Sequence, residues 1–238
     1  MDNIQKYFEN TQKPWSKLFY QMIWNHLKFV QSKNVLDFGS GFGITANSLA
    51  RHNHVIAIEP NEVMLRLRVR ENEYEQLIGG LELLEQFPDN HFDLIACHNV
   101  LEYVDNKEDY IKEFSRVLKK NGVLSLVKHN HLGRIMQRVV FENNIELAIK
   151  EVDGQQTLSE SFGEIKYYEE EQIKKWADQY LLKIDQLLGI RTFFGLVQDN
   201  QIKFNETWQE KMLEMELKIS NIESFSKIAF YHHVLLSK

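Results

Sequence analysis

Three glycines at alternate positions follow a short apolar run near residue 35. The segment reads Val35-Leu36-Asp37-Phe38-Gly39-Ser40-Gly41-Phe42-Gly43, and the residues after it have helical spacing. Glycine lets the main chain turn sharply and lets a ligand lie against bare backbone, and a helix N-terminus offers free N–H groups. Asp37 would repel a pyrophosphate, but it suits a cationic ligand with an amino group. The segment therefore predicts a cofactor loop whose G-x-G-x-G spacing differs from the dinucleotide fingerprint.

An acidic residue, Glu59, ends the next apolar segment, HVIAIEP. A carboxylate at the end of that strand can accept hydrogen bonds from both hydroxyls of a ribose, as such acids do in nucleotide-binding folds. A glycine cluster alone could be an ordinary tight turn, and one acid could be a solvated strand end. Together, in register with the alternating elements around them, they favour nucleoside binding.

Apolar runs alternate with amphipathic stretches through residues 34–130. Strands are predicted near 34–38, 54–60, 75–79, 92–99 and 122–130, with helices between them, including one from Asn61 to Arg70 and one over 107–120. Val/Ile/Leu-rich strands separated by single helices predict a doubly wound α/β sheet with its ligand at the carboxyl ends of the strands. The chain reads as a single domain, 1–238, in four segments. They are an N-terminal helical segment (1–33), a cofactor-binding core (34–130), a lid and substrate segment (131–180), and C-terminal strands and a helix (181–238).

The overall charge and composition limit the class of protein. The chain of 238 residues has 28 Lys and Arg against 34 Asp and Glu, a net charge of −6. Any nucleic-acid contact must therefore be local. The single Cys97 suits a reducing compartment, and no apolar run approaches the length of a membrane span. The sequence predicts a cytoplasmic protein without a membrane partner and without a bound metal.

Five motifs in order resemble those of the class I S-adenosylmethionine-dependent methyltransferases. They are D-x-G-x-G-x-G, the acid after the second strand, FPDNHFDLI, HNVLEYV and FSRVLKKNGVLSL. The resemblance implies S-adenosyl-L-methionine as cofactor on a Rossmann-like sheet of seven strands, mostly parallel with an antiparallel C-terminal strand, plus an N-terminal helix and a helical lid insertion. Asp37, Gly39 and Gly41 would hold the methionine end, Glu59 the ribose, and Met64 the adenosine. The full set of implied cofactor residues is Asp37, Gly39, Ser40, Gly41, Glu59, Pro60, Met64, Leu81, Glu82 and His98, with Asn99 and Leu101 nearby.

One stretch departs from the family pattern. The family commonly has an Asp opposite the adenine amino group, in a G-D-x-x-x-L-P pattern after the third strand. Here the stretch is Gly80-Leu81-Glu82-Leu83-Leu84. Either Glu82 takes that place in a shifted register, or the adenine is read by backbone groups.

The second half of the chain is similar to a bacterial subgroup that esterifies the carboxylate of 5-carboxymethoxyuridine at the tRNA wobble position. The matching residues are Asn130…Gly133…Met136, Gly189-Ile190-Arg191 with Phe193, and Tyr231…His233-Val234. The basic strip of the subgroup is represented in part, by Lys13 and Lys17, and Phe230 stands where an arginine is usual. The resemblance implies a modified wobble uridine as acceptor.

The acceptor determines which residues would act in transfer. A carboxylate acceptor is already ionised and needs no base, so cationic groups would position it, with Arg134 and Arg191 as candidates. A hydroxyl or amine acceptor would need a base, for which His98 or His129 could serve. The candidate catalytic residues are His98, His129, Asn130, Arg134 and Arg191.

Two groups of basic residues receive different interpretations. Residues 128–138 place Lys128, His129, His131, Arg134 and Arg138 at the end of the fifth strand, as a local basic rim for tRNA or for a small acidic substrate. Arg66, Arg68 and Arg70 alternate along the predicted helix, do not form one stripe, and are interpreted as a solvated face. Two further functions stay open: methylation of a small acidic metabolite, and a noncatalytic protein that binds the cofactor and regulates a partner.

Overall fold

The computed structural model describes residues 3–155, 158–159 and 163–238. The chain divides into two compact units. The first comprises residues within 1–25, 128–167 and 187–233, and the second comprises residues within 26–127, 168–186 and 234–238. Within the described ranges, no helix combines the length and apolar character needed to cross a bilayer.

A seven-stranded sheet is the main framework, in the order β3-β2-β1-β4-β5-β9-β8, and β6 and β7 pair separately. The strands are β1 (Asn34–Phe38), β2 (His54–Ile58), β3 (Glu75–Leu77), β4 (Phe92–His98), β5 (Leu118–His129), β6 (Leu158–Ser159), β7 (Gly163–Glu164), β8 (Lys183–Ile190) and β9 (Tyr231–Ser237).

Strand directions match the predicted fold class. The pairs β1–β2, β2–β3, β1–β4 and β4–β5 are parallel. Strand β9 runs antiparallel to β5, because Asn121 donates to the carbonyl of Lys238 while Asn130, further along the chain, donates to the earlier Phe230. The prediction of a doubly wound sheet with an antiparallel C-terminal strand is confirmed.

Helices flank or follow these strands. They are α1 (Asn3–Thr11), α2 (Pro14–His26), α3 (Ile44–Leu49), α4 (Glu62–Arg66), α5 (Lys107–Val117), α6 (His131–Val140), α7 (Ile145–Val152), α8 (Glu170–Gln179), α9 (Glu206–Ile219) and α10 (Glu223–Ser226). Pro14 opens α2, where the missing N–H costs nothing. Asn61 caps α4 as predicted, since its side chain accepts from the N–H groups of Val63 and Met64.

Two predicted helix ends are wrong. Helix α4 ends at Arg66, not Arg70. The N–H of Val69 donates to the carbonyl of Phe42, and the hydroxyl of Tyr74 donates to the carbonyl of Val69, so tertiary hydrogen bonds replace helical ones there. Helix α5 ends at Val117 rather than 120, because Leu118 pairs with Phe92 in the sheet.

The predicted mobile loop, VDGQQTLSESFGE (152–164), falls partly on residues 156–157 and 160–162, which lie outside the described residues. On either side, α7 ends at Val152 and the short strands β6 and β7 pair antiparallel. The lid therefore stays a prediction.

Buried strands form the core that fixes the glycine loop in the second unit. Val35 and Leu36 in β1 and Ile95 and Ala96 in β4 are fully buried. On α5, Phe114 is fully buried, and its ring lies 5.2 Å from the ring of Phe38 at the end of β1. Because both ends of β1 are packed in this way, the loop that follows it has a fixed starting point.

Candidate active site

The glycine loop after β1 is bonded through its backbone to the end of β2. Gly39, Gly41 and Gly43 have φ of 73°, 55° and 68°, a left-handed conformation that glycine adopts without strain. The N–H groups of Gly39 and Ser40 both donate to the carbonyl of Ile58, at 2.8 and 3.0 Å. These N–H groups are therefore engaged, which agrees with a loop that does not cradle a pyrophosphate.

Close packing also explains why the first loop residue is glycine. A Cβ built on Gly39 would lie 2.3 Å from Cγ2 of Val100, which follows β4. The loop after β1 and the loop after β4 thus approach each other at the carboxyl edge of the sheet, where ligands bind in such folds.

Glu59 closes the loop from the β2 side. Its Oε2 accepts from the N–H of Gly41 at 2.8 Å, and its Oε1 accepts from the N–H of Asn61 at 2.9 Å. Burial raises the pKa of Glu59, and these two hydrogen bonds oppose the shift. A carboxylate has about four acceptor positions, so two remain for hydroxyl groups of a ligand.

Asp37 presents a buried oxygen atom without a partner. Its side chain is 2% exposed and accepts from the N–H of Ala46, while Oδ2 has no hydrogen-bond partner. Burial raises the pKa of Asp37 to about 7, and the charge of Glu59 adds to the shift. Buried polar atoms in native proteins almost always have partners, so Oδ2 marks a place for a donor from a ligand.

Asn99 supplies a second acceptor of the same kind. It follows β4 with φ of 55°, and its N–H donates to the carbonyl of Val127 at 2.8 Å. Its Oδ1 is buried without a hydrogen-bond partner. Two orphaned oxygen acceptors on the two sides of Gly39 fit a cationic amino group, such as that of the methionine part of S-adenosylmethionine.

The remaining predicted cofactor residues line the same edge to different degrees. Met64 is buried, and its Cε lies 3.1 Å from a Cβ built on Gly41. Ser40 contacts Gln76 of β3, with 3.4 Å between Oγ and Nε2. Pro60 is exposed. Met64 thus packs against the loop, and its contact with adenosine stays a prediction.

Glu82 is placed differently from an adenine-reading carboxylate. It is exposed, and its Oε1 accepts from the N–H of Gly80 at 2.7 Å, which lowers its pKa. Leu81 begins the 3₁₀ turn Leu81–Gln86 and is half-buried. The Glu82 carboxylate therefore stabilises its own turn.

His98 ends β4 and is neutral at physiological pH. Its Nε2 lies 2.9 Å from Oγ of Ser125 on β5, and burial lowers its pKa to about 3. A general base works best when its pKa lies near the working pH. His98 is thus a weak base, and its side chain is hydrogen-bonded to Ser125.

In the first unit, Asn130 and Gly133 hold the segment that precedes β9. The Asn130 amide donates to the carbonyls of Lys227 and Ala229, at 2.8 and 2.7 Å. A Cβ on Gly133 would lie 2.0 Å from the carbonyl oxygen of Ala229, so only glycine lets α6 pack this closely. Both residues therefore position Phe230, which comes next in the chain.

Phe230 contacts two arginines through its ring. The Cζ of Arg191 is 5.1 Å from the Phe230 ring centroid, and that of Arg134 is 5.7 Å from it. Arg191 also lies 5.6 and 5.8 Å from the centroids of Phe194 and Tyr231. The Nε atoms of both arginines are buried without hydrogen-bond partners. Two guanidinium groups held on aromatic faces, with unused donors, have the charge and the donors that an anionic ligand would need.

Arg191 is held under strain. It is 9% exposed, and its φ of 62° is uncommon for a residue with a side chain. Burial lowers its pKa, and Arg134 lowers it further, while Tyr231 and Glu216 oppose the shift. Guanidinium remains charged in proteins, so this buried charge needs an anion. Strained, buried residues of this kind cluster at functional sites.

The hydrogen bonds of Glu216 go to backbone N–H groups and not to the Arg191 guanidinium. The Glu216 carboxylate is fully buried and accepts from the N–H of Thr192 at 2.8 Å and from that of Phe194 at 2.7 Å. Burial raises its pKa. Its oxygens thus fix the turn after Arg191 rather than pairing with the guanidinium.

Lys203 adds a buried cation to this region. Its Nζ lies 4.4 Å from the ring centroid of Phe141 and 5.2 Å from that of Phe194, and it donates to Asn200. Burial lowers the pKa of Lys203 to about 8, and the charge of Arg191 contributes. The sequence analysis did not identify Lys203 or Glu216 as residues of this region. One sequence feature could have indicated Glu216: it is an acidic residue in the apolar stripe of α9, between Met212 and Ile219.

The predicted basic rim is smaller than expected. Arg138 is paired with Glu142 and with Glu151, and Lys128 is fully buried. His129 lies against Tyr231 and His131 against Tyr167, with ring centroids 4.9 and 4.8 Å apart. Lys13 and Lys17 are exposed. Arg134 and Arg191 are therefore the cations of the predicted set with unused buried donors.

The structure brings the predicted residues together in two groups, one in each unit. The second unit holds Asp37, Gly39, Ser40, Gly41, Glu59, Pro60, Met64, Leu81, Glu82 and His98, and the first holds His129, Asn130, Arg134 and Arg191. Among the residues that the structure describes, no group of three or more His, Cys, Asp or Glu side chains could hold a metal.

Comparison with known proteins relates the chain to methyltransferases. Residues 36–126 match the family model described as a methyltransferase domain. The chain is 26% identical over 217 residues to tRNA 5-carboxymethoxyuridine methyltransferase of Escherichia coli K12, covering 87% of this chain and 81% of that protein. It is 25% identical over 171 residues to a mitochondrial ubiquinone biosynthesis O-methyltransferase of Schizosaccharomyces pombe, covering 61% and 62%.

The fold has solved relatives. An S-adenosylmethionine-dependent methyltransferase from Mesorhizobium loti superimposes with a TM-score of 0.58 at 12% identity, covering 91% of this chain and 98% of that one. At this identity the likeness concerns the fold alone. The matching domain and the relative covered over 81% of its length show that the chain is an S-adenosylmethionine-dependent methyltransferase with S-adenosyl-L-methionine as its cofactor, and its motifs and fold resemble those of class I.

Proposed function

We propose that this methyltransferase esterifies a carboxylate on a modified wobble uridine of tRNA. The observation that carries the proposal is the Arg134–Phe230–Arg191 cluster, whose two buried Nε atoms lack partners. The 26% identical relative from Escherichia coli, named for 5-carboxymethoxyuridine in tRNA, supports the same acceptor class.

The cofactor-binding residues would contribute mainly by orienting S-adenosylmethionine. Asp37 and Asn99 would accept hydrogen bonds from the amino group, Glu59 would accept from the ribose hydroxyls, and Met64 would pack on the adenosine. The cofactor, when bound, supplies a methyl group already activated by a sulfonium. The protein therefore has to align the acceptor with that methyl group and exclude water.

The acceptor residues hold a group that needs no deprotonation. Arg134 and Arg191 would bind the carboxylate oxygens through charge-assisted hydrogen bonds, leaving one oxygen lone pair for attack. Asn130 acts as a positioning residue, because its amide holds the carbonyls before Phe230. His98, with a pKa of about 3, is poorly suited to deprotonate a hydroxyl acceptor. A carboxylate acceptor thus fits the available groups better.

The proposal is tested by mass spectrometry of tRNA nucleosides from cells that lack the gene. We expect the methyl ester of the modified uridine to disappear and its free acid to accumulate, with recovery when the gene is restored. Unchanged nucleosides would favour the second candidate, a small acidic metabolite. Purified enzyme incubated with labelled cofactor and either tRNA or a panel of small carboxylic acids separates the two acceptors.

We place this activity in the cytoplasm, where its tRNA substrate and a reducing environment for Cys97 are found. The thiol is buried, and burial together with the charges of Glu102 and Asp37 raises its pKa, so it is unreactive.

A further inference from the structure

Three arginines line one groove in the second unit. The groove has a volume of about 240 Å³, and its walls come from α4, from the segment after α4 and from β3. The lining residues are Glu62, Leu65, Arg66, Arg68, Arg70, Gln76 and Ile78. None of Asp37, Gly39, Gly41, Glu59 or Met64 lines it, and the groove adjoins the cofactor loop only through Gln76, which contacts Ser40.

The early end of α4 brings these arginines together. In a continuous helix, residues two apart point in different directions, and the sequence therefore predicted no common stripe. Because α4 ends at Arg66, Arg66, Arg68 and Arg70 all face the groove, while Leu67 and Val69 do not line it. Alternate residues of a non-helical chain lie up to about 7 Å apart, similar to successive phosphates of a nucleic-acid strand.

The positive charge of the groove is not cancelled by protein carboxylates. The salt bridges formed among the described residues include neither Arg66 nor Arg68 nor Arg70. Glu62 is the acid in the lining. Glu75 neighbours Gln76 on β3, so its side chain points to the opposite face of the strand from Gln76 and Ile78. Nε of Arg68 is buried without a hydrogen-bond partner.

We propose that this groove binds the phosphodiester backbone of the RNA acceptor through Arg66, Arg68 and Arg70. The inference rests on the proposed tRNA substrate, and it explains how a chain with a net charge of −6 can hold a polyanion. Backbone contacts of this kind fix the register of a nucleic acid and carry no sequence information. Recognition of the modified base would remain with the carboxylate-binding cluster.

The test removes two exposed charges from the groove and measures RNA binding apart from catalysis. In the double variant Arg66→Gln/Arg70→Gln, Arg68 is kept, because it interacts with Tyr74, which packs against Gly43. The control is Lys33→Gln/Arg51→Gln, which removes two exposed charges of the same unit just before β1 and β2. The probe is a labelled anticodon stem-loop RNA, titrated by fluorescence anisotropy between 50 and about 200 mM salt.

Each lost phosphate contact reduces the slope of log K against log salt by about 0.7–0.9. We therefore expect the groove variant to lose about 1.5 in slope and to bind RNA at least tenfold more weakly near 0.1 M salt. The control variant should match the wild type, and both should bind S-adenosylhomocysteine normally in calorimetry. Methylation of the free modified nucleoside should be unchanged by the groove variant.

Three results overturn the inference. If the groove variant binds RNA with the affinity and slope of the wild type, the groove is not an RNA site, and the proposed function is untouched. If the wild-type protein does not bind RNA but methylates a small acid, the groove inference and the tRNA substrate fail together. Equal weakening by the control variant would show a diffuse charge effect and also overturn it.

Discussion

The cofactor loop and the Arg134–Phe230–Arg191 cluster have opposite electrostatic character. In the loop, the unsatisfied buried atoms are oxygen acceptors, Oδ2 of Asp37 and Oδ1 of Asn99. In the cluster they are guanidinium nitrogens. The first arrangement suits a ligand that carries a cation, and the second suits a ligand that carries an anion. A methyltransferase acting on an acid needs both, since its cofactor bears an ammonium and its acceptor a carboxylate.

The two regions also differ in how they are built. The loop comes from one continuous segment, 37–43, together with residues at the ends of neighbouring parallel strands. The cluster gathers single residues from α6, from the position just after β8 and from the position just before β9. Changes in the loop should therefore affect cofactor affinity alone, and changes in the cluster should affect acceptor use alone. The predictions below test this separation.

The largest effect on turnover is expected for Arg191→Met. It removes a buried guanidinium, so kcat/KM for the acidic acceptor should fall by at least about 30-fold, on the order of 2 kcal/mol. Affinity for S-adenosylhomocysteine, measured by calorimetry, should stay within twofold of the wild type. Arg134→Gln should cost less, because Arg134 is half-exposed and its charge is screened.

Arg191→Lys is the matched control, because it keeps the charge but loses the planar fork. It should recover part of the lost activity. Thermal unfolding of all three variants separates acceptor binding from folding. If Arg191→Met is folded and turns over every acidic acceptor at the wild-type rate, Arg191 is structural, and the carboxylate proposal should be abandoned.

Glu59→Ala should act on the other region. The substitution removes the acceptor for the N–H groups of Gly41 and Asn61 as well as for the ribose hydroxyls, so cofactor affinity should fall by about 1–3 kcal/mol. Calorimetry with S-adenosylhomocysteine measures the loss, and Glu59→Gln should lose less. Wild-type affinity in Glu59→Ala would remove Glu59 from the cofactor site.

The different construction of the loop and the cluster explains why the sequence predicted the loop better than the cluster. Asp37, the three glycines and Glu59 lie at strand ends within a short stretch, and local periodicity places them. The cluster requires Arg134, Arg191 and Phe230 to meet across nearly a hundred residues. The position of Arg134 after the fifth strand indicated that residue, and family resemblance indicated Arg191. Nothing in the sequence indicated that the Phe230 ring would contact both arginines, or that Glu216 and Lys203 would lie nearby.

Helix ends were the weakest part of the fold prediction. The sequence from Asn61 to Arg70 has helical periodicity, yet tertiary hydrogen bonds to Phe42 and Tyr74 end α4 at Arg66. Local pattern does not contain those bonds. The same error concealed the arginine groove, since a longer helix would have dispersed its side chains.

A third prediction uses the pKa of Asp37. Its pKa of about 7 in the free protein lies above the usual aspartate value of 3.8, so the folded state binds more protons between these values. The free energy of unfolding contributed by Asp37 should therefore fall as pH rises from about 4 to 7, by up to about 4 kcal/mol. Asp37→Asn should remove this slope in denaturant titrations. A wild-type slope that persists in Asp37→Asn would assign the titration to another group.

The same group should link cofactor binding to pH. An ammonium near Asp37 favours the ionised carboxylate, so affinity for S-adenosylhomocysteine should rise about tenfold from pH 6 to pH 8. Binding should release a proton, which calorimetry detects as a dependence on the ionisation enthalpy of the buffer. Asp37→Asn should bind more weakly and with little dependence on pH. An affinity that falls with rising pH would contradict a cationic ligand group at Asp37.

The smallest effect is expected for Glu82→Ala. If Glu82 read the adenine amino group, its loss would weaken cofactor binding about as much as the loss of Glu59 does. Its carboxylate is exposed and bonded to the N–H of Gly80, so S-adenosylhomocysteine should bind Glu82→Ala within about twofold of the wild type. The adenine would then be read by backbone groups of the turn after β3.

Comparing adenosine with inosine analogues of the cofactor completes the test, because inosine replaces the amino donor by a carbonyl. If Glu82→Ala loses affinity for the adenosine form and not for the inosine form, Glu82 moves on binding to contact the adenine.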